Sequence, residues 1–411
     1  MPIVEVMEDR INIAMFSTSL PRPFASADAR WLFVCMNEIT RRGHNLELIS
    51  CTESSEQDVA DAMKLAAAVG CTLHHVPMVV NEPRLVRRFR SLRAPHSEYA
   101  RVQGLSDLVN EVAKRNDLLH VEHLFPSWLA LERSDTSVFL HHLESIDWTG
   151  PRTLTRAEKL QRFQTDRATA HLIPRLDRIL AATPRIRDAV LELHPEANVE
   201  VVSVAIDTSL YDLLPPVAAP VVGVVGSMHW YPSRSAAERV LTRLWPAIHQ
   251  AVPDAELIVA GFGADRYLGH LFPVNGARLL GTVARPEDFF GQASVLLYPP
   301  ERGSGMKIKA LESFAYGVPV ISNAEGLEGL GGVSGTHYIQ GETDDELIAA
   351  TISLLRDHAK RLRMRAAARD FIEVNFSPQP AVDRLFDAWE KQHHFTKSDS
   401  LNPALSVGAA A

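Results

Sequence analysis

Short apolar runs alternate with longer amphipathic segments along the first half of the chain. Residues 11–16 predict a strand, residues 29–41 predict a helix ended by Gly43, and residues 46–50 predict the next strand. This order is a βαβ unit, the building block of a parallel sheet covered by helices. Further strands are predicted at residues 118–121, 137–140, 178–182 and 199–202.

The second half repeats the same alternation of strands and helices. Strands are predicted at residues 221–226, 256–260, 278–280, 295–298 and 318–322, with helices such as 236–251 between them. The proline-rich segment DLLPPVAAP marks an exposed linker between the halves. We therefore predict an α/β protein of two Rossmann-like, doubly wound domains that face each other across a cleft.

The domain boundaries follow from the linker and from the end of the periodic pattern. The N-terminal domain is predicted at residues 1–215 and the C-terminal domain at residues 216–380. A closing helix at residues 381–395 can pack back on the first domain. The small, polar residues 396–411 are predicted to be a disordered tail.

Composition limits the class of protein. A chain of 411 residues exceeds one ordinary core, and the net charge of -8 argues against nucleic-acid binding. The 3 cysteines lack metal-type spacing, so we expect reduced thiols in a cytoplasmic protein and no metal site. The N-terminus carries acidic residues, and no apolar run is long enough to span a bilayer, so at most a peripheral association is expected.

The segment GSGMKIKALESFAYGVPVIS carries the most specific chemistry in the chain. Gly303 and Gly305 permit backbone geometries that side chains block, and the run MKIKALESFAY predicts a helix. A helix N-terminus attracts anions, and Lys307 and Lys309 add full charges there. Glu312 follows one turn beyond Lys309. Each residue alone is typical of an ordinary turn or helix surface, but together they predict a site for a nucleotide diphosphate.

At these strands and turns the sequence resembles the retaining family 4 glycosyltransferases of the GT-B fold. The resemblance is most specific in VVGVVGSMHWYP, DAELIVAGFG, RLLGTV, ASVLLYPP and the glycine-rich segment, and looser in RRGHNLELIS, LLHVEH and VFLHHLES. It implies transfer of a sugar from a nucleotide-diphosphate donor to a hydroxyl acceptor with retention of configuration. It implies no cofactor beyond the donor substrate. For such a reaction we favour front-face attack, in which the leaving phosphate helps to accept the acceptor proton.

Carried over to these residues, the resemblance implies that Glu312 binds the donor ribose and that Lys309 is a catalytic residue near the diphosphate. Lys307 is a second, weaker candidate. The family often has a glutamate where this chain has Ser304, so either loop backbone groups or Glu301 would replace it. The further donor-binding candidates are Gly226, Ser227, Gly303, Ser304, Gly305 and Met306.

In the first domain, His141 resembles the family histidine that reaches the donor sugar and the reaction centre, and His142 competes for that role. A neutral histidine there can donate a hydrogen bond to a sugar hydroxyl. The loop STSLPRPFASADAR lacks the family's glycines, which implies a different acceptor surface. Thr18, Ser26, Arg30 and His142 are the acceptor-side candidates.

Several alternatives stay open at this level. The segment from Arg84 to Arg93 predicts either a solvated, packed helix or peripheral contact with an anionic membrane. Trp230 is predicted to pack against the following helix, and Glu144 resembles a family glutamate for which a structural role is expected. A nucleotide-sugar epimerase of the same fold, or a catalytically silent nucleotide-sugar-binding relative, is the alternative function.

Overall fold

A computed structural model describes residues 10–83, 86, 89–90, 93–131, 133, 135–147 and 154–393. The predicted tail, and most of the segment from Arg84 to Arg93, lie outside the described residues. Within the described residues the N-terminal sheet has seven parallel strands in the order β3-β2-β1-β4-β5-β6-β7. These strands are β1 Asn12–Ser17, β2 Asn45–Thr52, β3 Thr72–Pro77, β4 Leu118–Glu122, β5 Thr136–Leu140, β6 Ile179–Ala181 and β7 Val199–Val201.

Helices cover the N-terminal sheet, and four of them are capped at the N-terminus by a serine or threonine side chain. The helices are α1 Ala27–Arg41, α2 Glu56–Ala68, α3 Leu105–Lys114, α4 Glu144–Asp147, α5 Arg156–Leu172 and α6 Pro184–Leu193. Ser26 caps α1 by accepting a hydrogen bond from the Ala29 N–H at 3.3 Å. Trp31 of α1 is fully buried, and its ring packs edge-on against Phe139 of β5. The helix is thus fixed to the centre of the sheet.

The C-terminal sheet has six parallel strands among the described residues, in the order β10-β9-β8-β11-β12-β13. They are β8 Val221–Val225, β9 Glu256–Ala260, β10 Ala277–Gly281, β11 Val295–Leu297, β12 Val320–Ser322 and β13 Tyr338–Gln340. The helices are α7 Tyr231–Arg239, α8 Trp245–Ala251, α9 Ala264–Leu268, α10 Glu287–Phe290, α11 Ile308–Tyr316, α12 Asp344–Arg356, α13 His358–Asn375 and α14 Pro378–His393. A π-helical turn, Val240–Leu244, joins α7 to α8.

The last helix, α14, lies on the N-terminal domain. Arg42, which follows α1, forms an ion pair with Asp383 at 2.7 Å. The Phe386 ring stacks on His44, and the fully buried Trp389 reaches His120 of β4. Complete burial of one such aromatic side chain contributes roughly 2–3 kcal/mol. The chain therefore crosses from the first domain to the second and returns at its end.

The predicted architecture of two doubly wound α/β domains is confirmed. In each sheet the strand order reverses beside the first strand of the domain, between β1 and β4 and between β8 and β11. Ligands of such sheets bind outside the carboxyl ends of the strands at these points. None of the helices that the structure describes combines the length and apolarity needed to cross a bilayer.

Some element boundaries differ from the prediction. Helix α11 begins at Ile308, two residues after its predicted start at Met306, and Lys307 is its N-cap residue. The edge strands β3 and β13 were not predicted, because only one of their residues, Tyr338, is buried and both strands carry polar side chains. Such strands lack the continuous apolar run of a central parallel strand.

Candidate active site

A cavity of about 530 Å³ lies between the two domains, beyond the carboxyl ends of β1, β5, β8 and β11. One wall is the start of α1 with His141 and His142. The opposite wall is the turn after β8 and the loop that enters α11. The volume is within the range of small-ligand sites, which run from about 300 to 1,000 Å³.

The loop before α11 contacts the end of β5 so closely that Gly305 is required. Gly305 has φ +81, and a Cβ placed there would lie 2.1 Å from the backbone oxygen of His141. Beside it, the Ser304 hydroxyl accepts a hydrogen bond from the Leu143 N–H at 2.9 Å. These contacts join the two domains at the cavity, since Ser304 and Leu143 belong to different domains.

Lys307 supports this loop from within the protein. Its side chain is buried, and its ammonium donates hydrogen bonds to the carbonyl oxygens of Gly303, Ser304 and Gly305. The ammonium also lies 3.8 Å from the Glu328 carboxylate. Because an ammonium has three donor hydrogens, these contacts account for its bonding capacity. The structure thus gives Lys307 a loop-fixing position beside the cavity.

Lys309 lies at the N-terminus of α11 and reaches toward the turn after β8. Its Nζ donates to Ser233 Oγ at 2.7 Å and to the Tyr298 hydroxyl at 3.0 Å. It lies 5.2 Å from the centre of the Trp230 ring. Burial, together with the nearby Lys307 charge, lowers the pKa of Lys309 to about 7. A bound anion would restore its charge.

Glu312, one turn further along α11, forms a buried ion pair with Arg30 of α1. Arg30 Nη1 lies 2.9 Å from Glu312 Oε2. In the described structure, Glu312 Oε1 and Arg30 Nε are buried without a hydrogen-bond partner. An unpartnered buried carboxylate oxygen costs free energy unless a ligand donates to it. Glu312 Oε1 is therefore suited to accept a hydroxyl hydrogen.

His141 is held by the buried carboxylate of Glu122, the last residue of β4. His141 Nε2 hydrogen-bonds to Glu122 Oε2, and Trp31 Nε1 donates to Glu122 Oε1 at 3.1 Å. Burial alone would raise the pKa of Glu122, but His141 and His120 outweigh it and lower the pKa to about 2. The carboxylate is ionised and accepts only, so the shared hydrogen belongs to His141 Nε2.

The Glu122 network continues to the C-terminal helix through His120. Trp389 Nε1 donates to His120 Nδ1 at 3.3 Å, and His120 Nε2 lies 3.1 Å from Glu122 Oε1. Indole N–H is a donor only, so Nδ1 of His120 is the acceptor and its Nε2 carries the hydrogen. A continuous chain of hydrogen bonds therefore links α14 to the histidine of the cavity.

Three side chains, one of them His141 itself, could together hold a metal ion. Ligand atoms of Asp28, His123 and His141 all lie within 4.8 Å of one another. Two imidazoles and one carboxylate are a donor set that suits Zn²⁺, and the Glu122 hydrogen bond would orient His141 as a second-sphere carboxylate does in metal sites. The sequence-based expectation of no metal site did not anticipate this grouping.

The structure brings most of the predicted site residues to the main cavity. The lining includes Ser26, Arg30, His141, His142, Gly226, Ser227, Ser304, Met306, Lys307, Lys309 and Glu312. Gly303 and Gly305 form the loop behind this lining, and Thr18 lines a smaller neighbouring pocket. Glu301 is not among the described lining residues, and its carboxylate bonds to the Tyr231 hydroxyl outside the cavity. Ser304, not Glu301, therefore lies where the family glutamate is expected.

Two placements differ from the sequence-based expectations. Arg30, assigned to the acceptor side, pairs with the predicted ribose ligand Glu312 because α1 begins at the cavity edge. Trp230, expected to pack away from the ligand, is 40% exposed and lines the cavity. Asp28 and Glu122 were not identified from the sequence. The sequence signals for Glu122 were its position at the end of a predicted strand and its place within the segment LLHVEH.

An apolar wall closes one end of the cavity. It is formed by residues that follow β10 and by α10, namely Val283, Ala284, Pro286, Phe289 and Phe290. Phe289 and Phe290 are buried and pack edge to face. This end of the cavity is apolar, whereas the charged Arg30 and Glu312 line another part of the same cavity.

The second domain matches a known family. Residues 219–357 match the family described as glycosyl transferases group 1. A curated relative, the GDP-mannose-dependent monoacylated alpha-(1-6)-phosphatidylinositol monomannoside mannosyltransferase of Corynebacterium glutamicum, is 30% identical over 165 residues. The match covers 35% of this chain, and it spans 41% of that relative's length.

Solved structures resemble the whole chain in fold. The sucrose-phosphate synthase of Thermosynechococcus elongatus superimposes with a TM-score of 0.68 at 13% identity, covering 94% of this chain and 100% of that one. HepE of Anabaena, in complex with UDP and glucose, gives a TM-score of 0.67 at 14% identity, covering 93% and 100% of the two chains.

Two Rossmann-like domains that face a common cleft, joined at the end by a helix that returns to the first, define the GT-B class of proteins. The glycine-rich loop, its lysines and Glu312 all fall within the matched residues 219–357. Residues 219–357 therefore match the group 1 glycosyltransferases, and the fold of the chain is that of the GT-B structures.

Proposed function

We propose that this protein transfers a sugar from a nucleotide-diphosphate donor to a hydroxyl acceptor with retention of configuration. The observation that carries the proposal is the position of Lys309 at the N-terminus of α11. Its ammonium lies so close to the turn after β8 that a Cβ added to Gly226 would be 3.1 Å from it. A diphosphate placed beside these groups would meet the N-terminal N–H groups of the helix and a recharged lysine.

The rest of the donor follows from this position. Glu312 Oε1 is the acceptor for a ribose hydroxyl, and the apolar wall at Phe289 and Phe290 is the surface for the base. The sugar would then point toward His141, on the opposite wall. The family match and the UDP named for the HepE structure support a nucleotide-sugar donor.

The reaction needs stabilisation of the negative charge on the leaving phosphate. It also needs the acceptor hydroxyl to attack the sugar from the face that the phosphate leaves. As the bond to the diphosphate breaks, negative charge grows on the leaving phosphate, and α11 with Lys309 stabilises it. His141, fixed by Glu122, lines the wall of the cavity that the sugar would face. The leaving phosphate accepts the acceptor proton in this scheme, so no enzyme carboxylate has to form a covalent intermediate.

A screen of nucleotide sugars tests the proposal directly. Each candidate is assayed for binding by calorimetry and for slow release of free sugar, first without and then with hydroxyl acceptors. A transferase binds one donor, hydrolyses it slowly and yields a product whose anomeric configuration, measured by NMR, equals that of the donor. An epimerised nucleotide sugar formed without acceptor, or binding with no chemistry, would favour the two alternative functions instead.

A further inference from the structure

The segment that follows β12, residues 323–330, packs against the start of α6 in the opposite domain. Thr183, the N-cap residue of α6, is fully buried, and its hydroxyl donates a hydrogen bond to Glu328 Oε1 at 2.6 Å. Only 8% of the Glu328 side chain is exposed. The carboxylate therefore lies at the N-terminus of a helix that belongs to the other domain, where the helix dipole favours a negative charge.

Two further contacts hold the same segment in place. Arg185 Nη1 lies 2.8 Å from Glu325 Oε2 and 3.4 Å from Glu328 Oε2, but the arginine side chain is 39% exposed, so solvent screens these pairs. Gly329 has φ +77, and a Cβ placed there would lie 2.8 Å from Thr183 Cγ2 and 2.6 Å from Met306 Cγ. A glycine at this position lets the segment touch the opposite domain and the loop before α11 at once.

The Glu328 carboxylate also faces Lys307, on the side away from Thr183's domain. Lys307 Nζ lies 3.8 Å from Glu328 Oε2, and the lysine side chain is completely buried. The same ammonium donates to the carbonyl oxygens of Gly303, Ser304 and Gly305. A buried ammonium is stable only beside acceptors and an opposite charge. Glu328 thus supplies charge that helps to keep Lys307 in its position under the loop.

We propose that Glu328 is a positioning residue, which makes the form of the loop at residues 303–307 depend on contact between the domains. Thr183 orients Glu328, Glu328 orients Lys307, and Lys307 holds the loop carbonyls. Thr183 and Glu328 are not among the described residues that line the main cavity, so they act on a ligand there only through the loop. The inference rests on the proposed function, because a nucleotide diphosphate is the ligand that this loop is expected to hold.

Calorimetric titration with UDP and with GDP tests the coupling from the opposite domain. Thr183→Val removes the hydroxyl that orients Glu328, and binding of the nucleotide must then order the loop. We expect the affinity to fall about tenfold, the equivalent of one hydrogen bond to a charged group. Thr183→Ser keeps the hydroxyl and should keep the native affinity. Unchanged affinity in Thr183→Val would overturn the inference.

A second capping threonine provides a matched control. Thr183 also accepts a hydrogen bond from the Ile186 N–H at 3.3 Å, so Thr183→Val loses a helix cap as well. Thr155 caps α5 in the same domain by accepting from the Glu158 N–H, likewise at 3.3 Å. Thr155→Val should therefore lower stability by a similar amount and leave nucleotide affinity unchanged. An equal loss of affinity in both variants would show general destabilisation and contradict the inference.

A double variant shows whether Thr183 acts through Glu328. Glu328→Ala should weaken nucleotide binding about tenfold or more, because Lys307 loses the carboxylate that faces it. Adding Thr183→Val to Glu328→Ala should then weaken binding little further, since the contact is already lost. If the two losses multiply instead, Thr183 and Glu328 act independently, and the inference is wrong.

Hydrogen exchange of the loop measures the coupling without a ligand. The backbone N–H groups of residues 303–307 should exchange faster in Thr183→Val and in Glu328→Ala than in the native protein or in Thr155→Val. Native exchange rates of the loop in Thr183→Val would overturn the inference. Failure of UDP and GDP to bind the native protein would count against the proposed function, whereas the exchange comparison would still decide the role of Glu328.

Discussion

Arg30 and Glu312 form an ion pair between the two domains, with Arg30 Nη1 2.9 Å from Glu312 Oε2. Only 11% of the Arg30 side chain and 9% of the Glu312 side chain are exposed. The pair holds Glu312 so that its other oxygen, Oε1, is left without a partner among the described residues. The residue predicted to bind ribose is thus oriented by the opposite domain, and donor binding and domain contact are coupled through one carboxylate.

We expect Glu312→Ala to lower both nucleotide affinity and stability. The ribose loses its acceptor, and Arg30 becomes an unpaired buried cation, a situation that costs about 3–5 kcal/mol. Thermal unfolding and nucleotide titration measure the two effects separately.

The double variant Arg30→Met with Glu312→Ala is the control for this prediction. It removes both charges, so most of the lost stability should return while the nucleotide affinity stays low. If the double variant is no more stable than Glu312→Ala, the ion pair has no energetic role in holding Glu312.

Nucleotide affinity should depend on pH through Lys309. The lysine has a pKa of about 7 in the free protein, and a bound diphosphate favours its charged form. At pH 6 the charge is already present, whereas at pH 9 binding must take up a proton, so affinity should fall by up to about tenfold per pH unit above 7. Calorimetry in two buffers of different ionisation enthalpy measures this uptake, and Lys309→Met should abolish it.

Lys309 should also affect stability as a function of pH. Its folded pKa of about 7 lies below the value of 10.5 expected when unfolded. Between these values the unfolded chain binds more protons, so the Lys309 contribution to the free energy of unfolding rises with pH through that window. The stability advantage of Lys309→Met over the native protein should therefore be full at and below about pH 7, decline as the pH rises through that window, and disappear above pH 10.5. A constant difference at all pH values would contradict the lowered pKa.

The sequence predicted the central strands because they are continuous apolar runs, such as VVGVV in β8 and VFL in β5. It also identified the loop before α11, since glycines, lysines and a carboxylate are adjacent in the chain. The start of that helix could not be predicted from composition. Lys307 folds back to the loop carbonyls, and α11 therefore begins only at Ile308.

The pairs that shape the site are long-range, and that is why sequence reasoning missed them. Arg30 meets Glu312 only because two separate sheets face each other, and no local pattern indicates that contact. Glu122 has the same character, since two of its donors, Trp31 and His141, come from α1 and from the end of β5. The role of Glu122 depends on burial and on hydrogen bonds that form only in the folded protein.

Glu122→Gln should lower turnover, through loss of the fixed orientation of His141, more than it lowers the affinity for the donor. The amide keeps the shape of the carboxylate, but its NH₂ group would face N–H groups of Trp31 or His141, so His141 loses its fixed orientation. We expect turnover to fall by about 10–100-fold, as for other buried partners that orient a functional histidine. Nucleotide affinity should stay near that of the native protein, because Glu122 lies in the other domain.

Nitrogen chemical shifts of the imidazoles provide a readout that does not depend on activity. In the native protein His120 should carry its hydrogen on Nε2, and Trp389→Phe should shift the Nδ1 resonance by deleting the indole donor, while Glu122 still holds the hydrogen on Nε2. If the His120 shifts are unchanged in Trp389→Phe, the hydrogen-bond chain from α14 to Glu122 does not exist in solution.

Gly305→Ala should separate the domains at the cavity. The added Cβ would lie 2.1 Å from the backbone oxygen of His141, so the loop must move away from β5 and lose the Ser304 contact with Leu143. We expect turnover to fall much more than nucleotide affinity, and small-angle scattering to show a larger radius of gyration.

Gly335→Ala is a matched control, because Gly335 has a similar φ of +87 with no atom within 4 Å of the added Cβ. Both variants incur a backbone cost of about 1–2 kcal/mol, so an equal loss of turnover in both would attribute the effect to backbone strain and not to the domain contact.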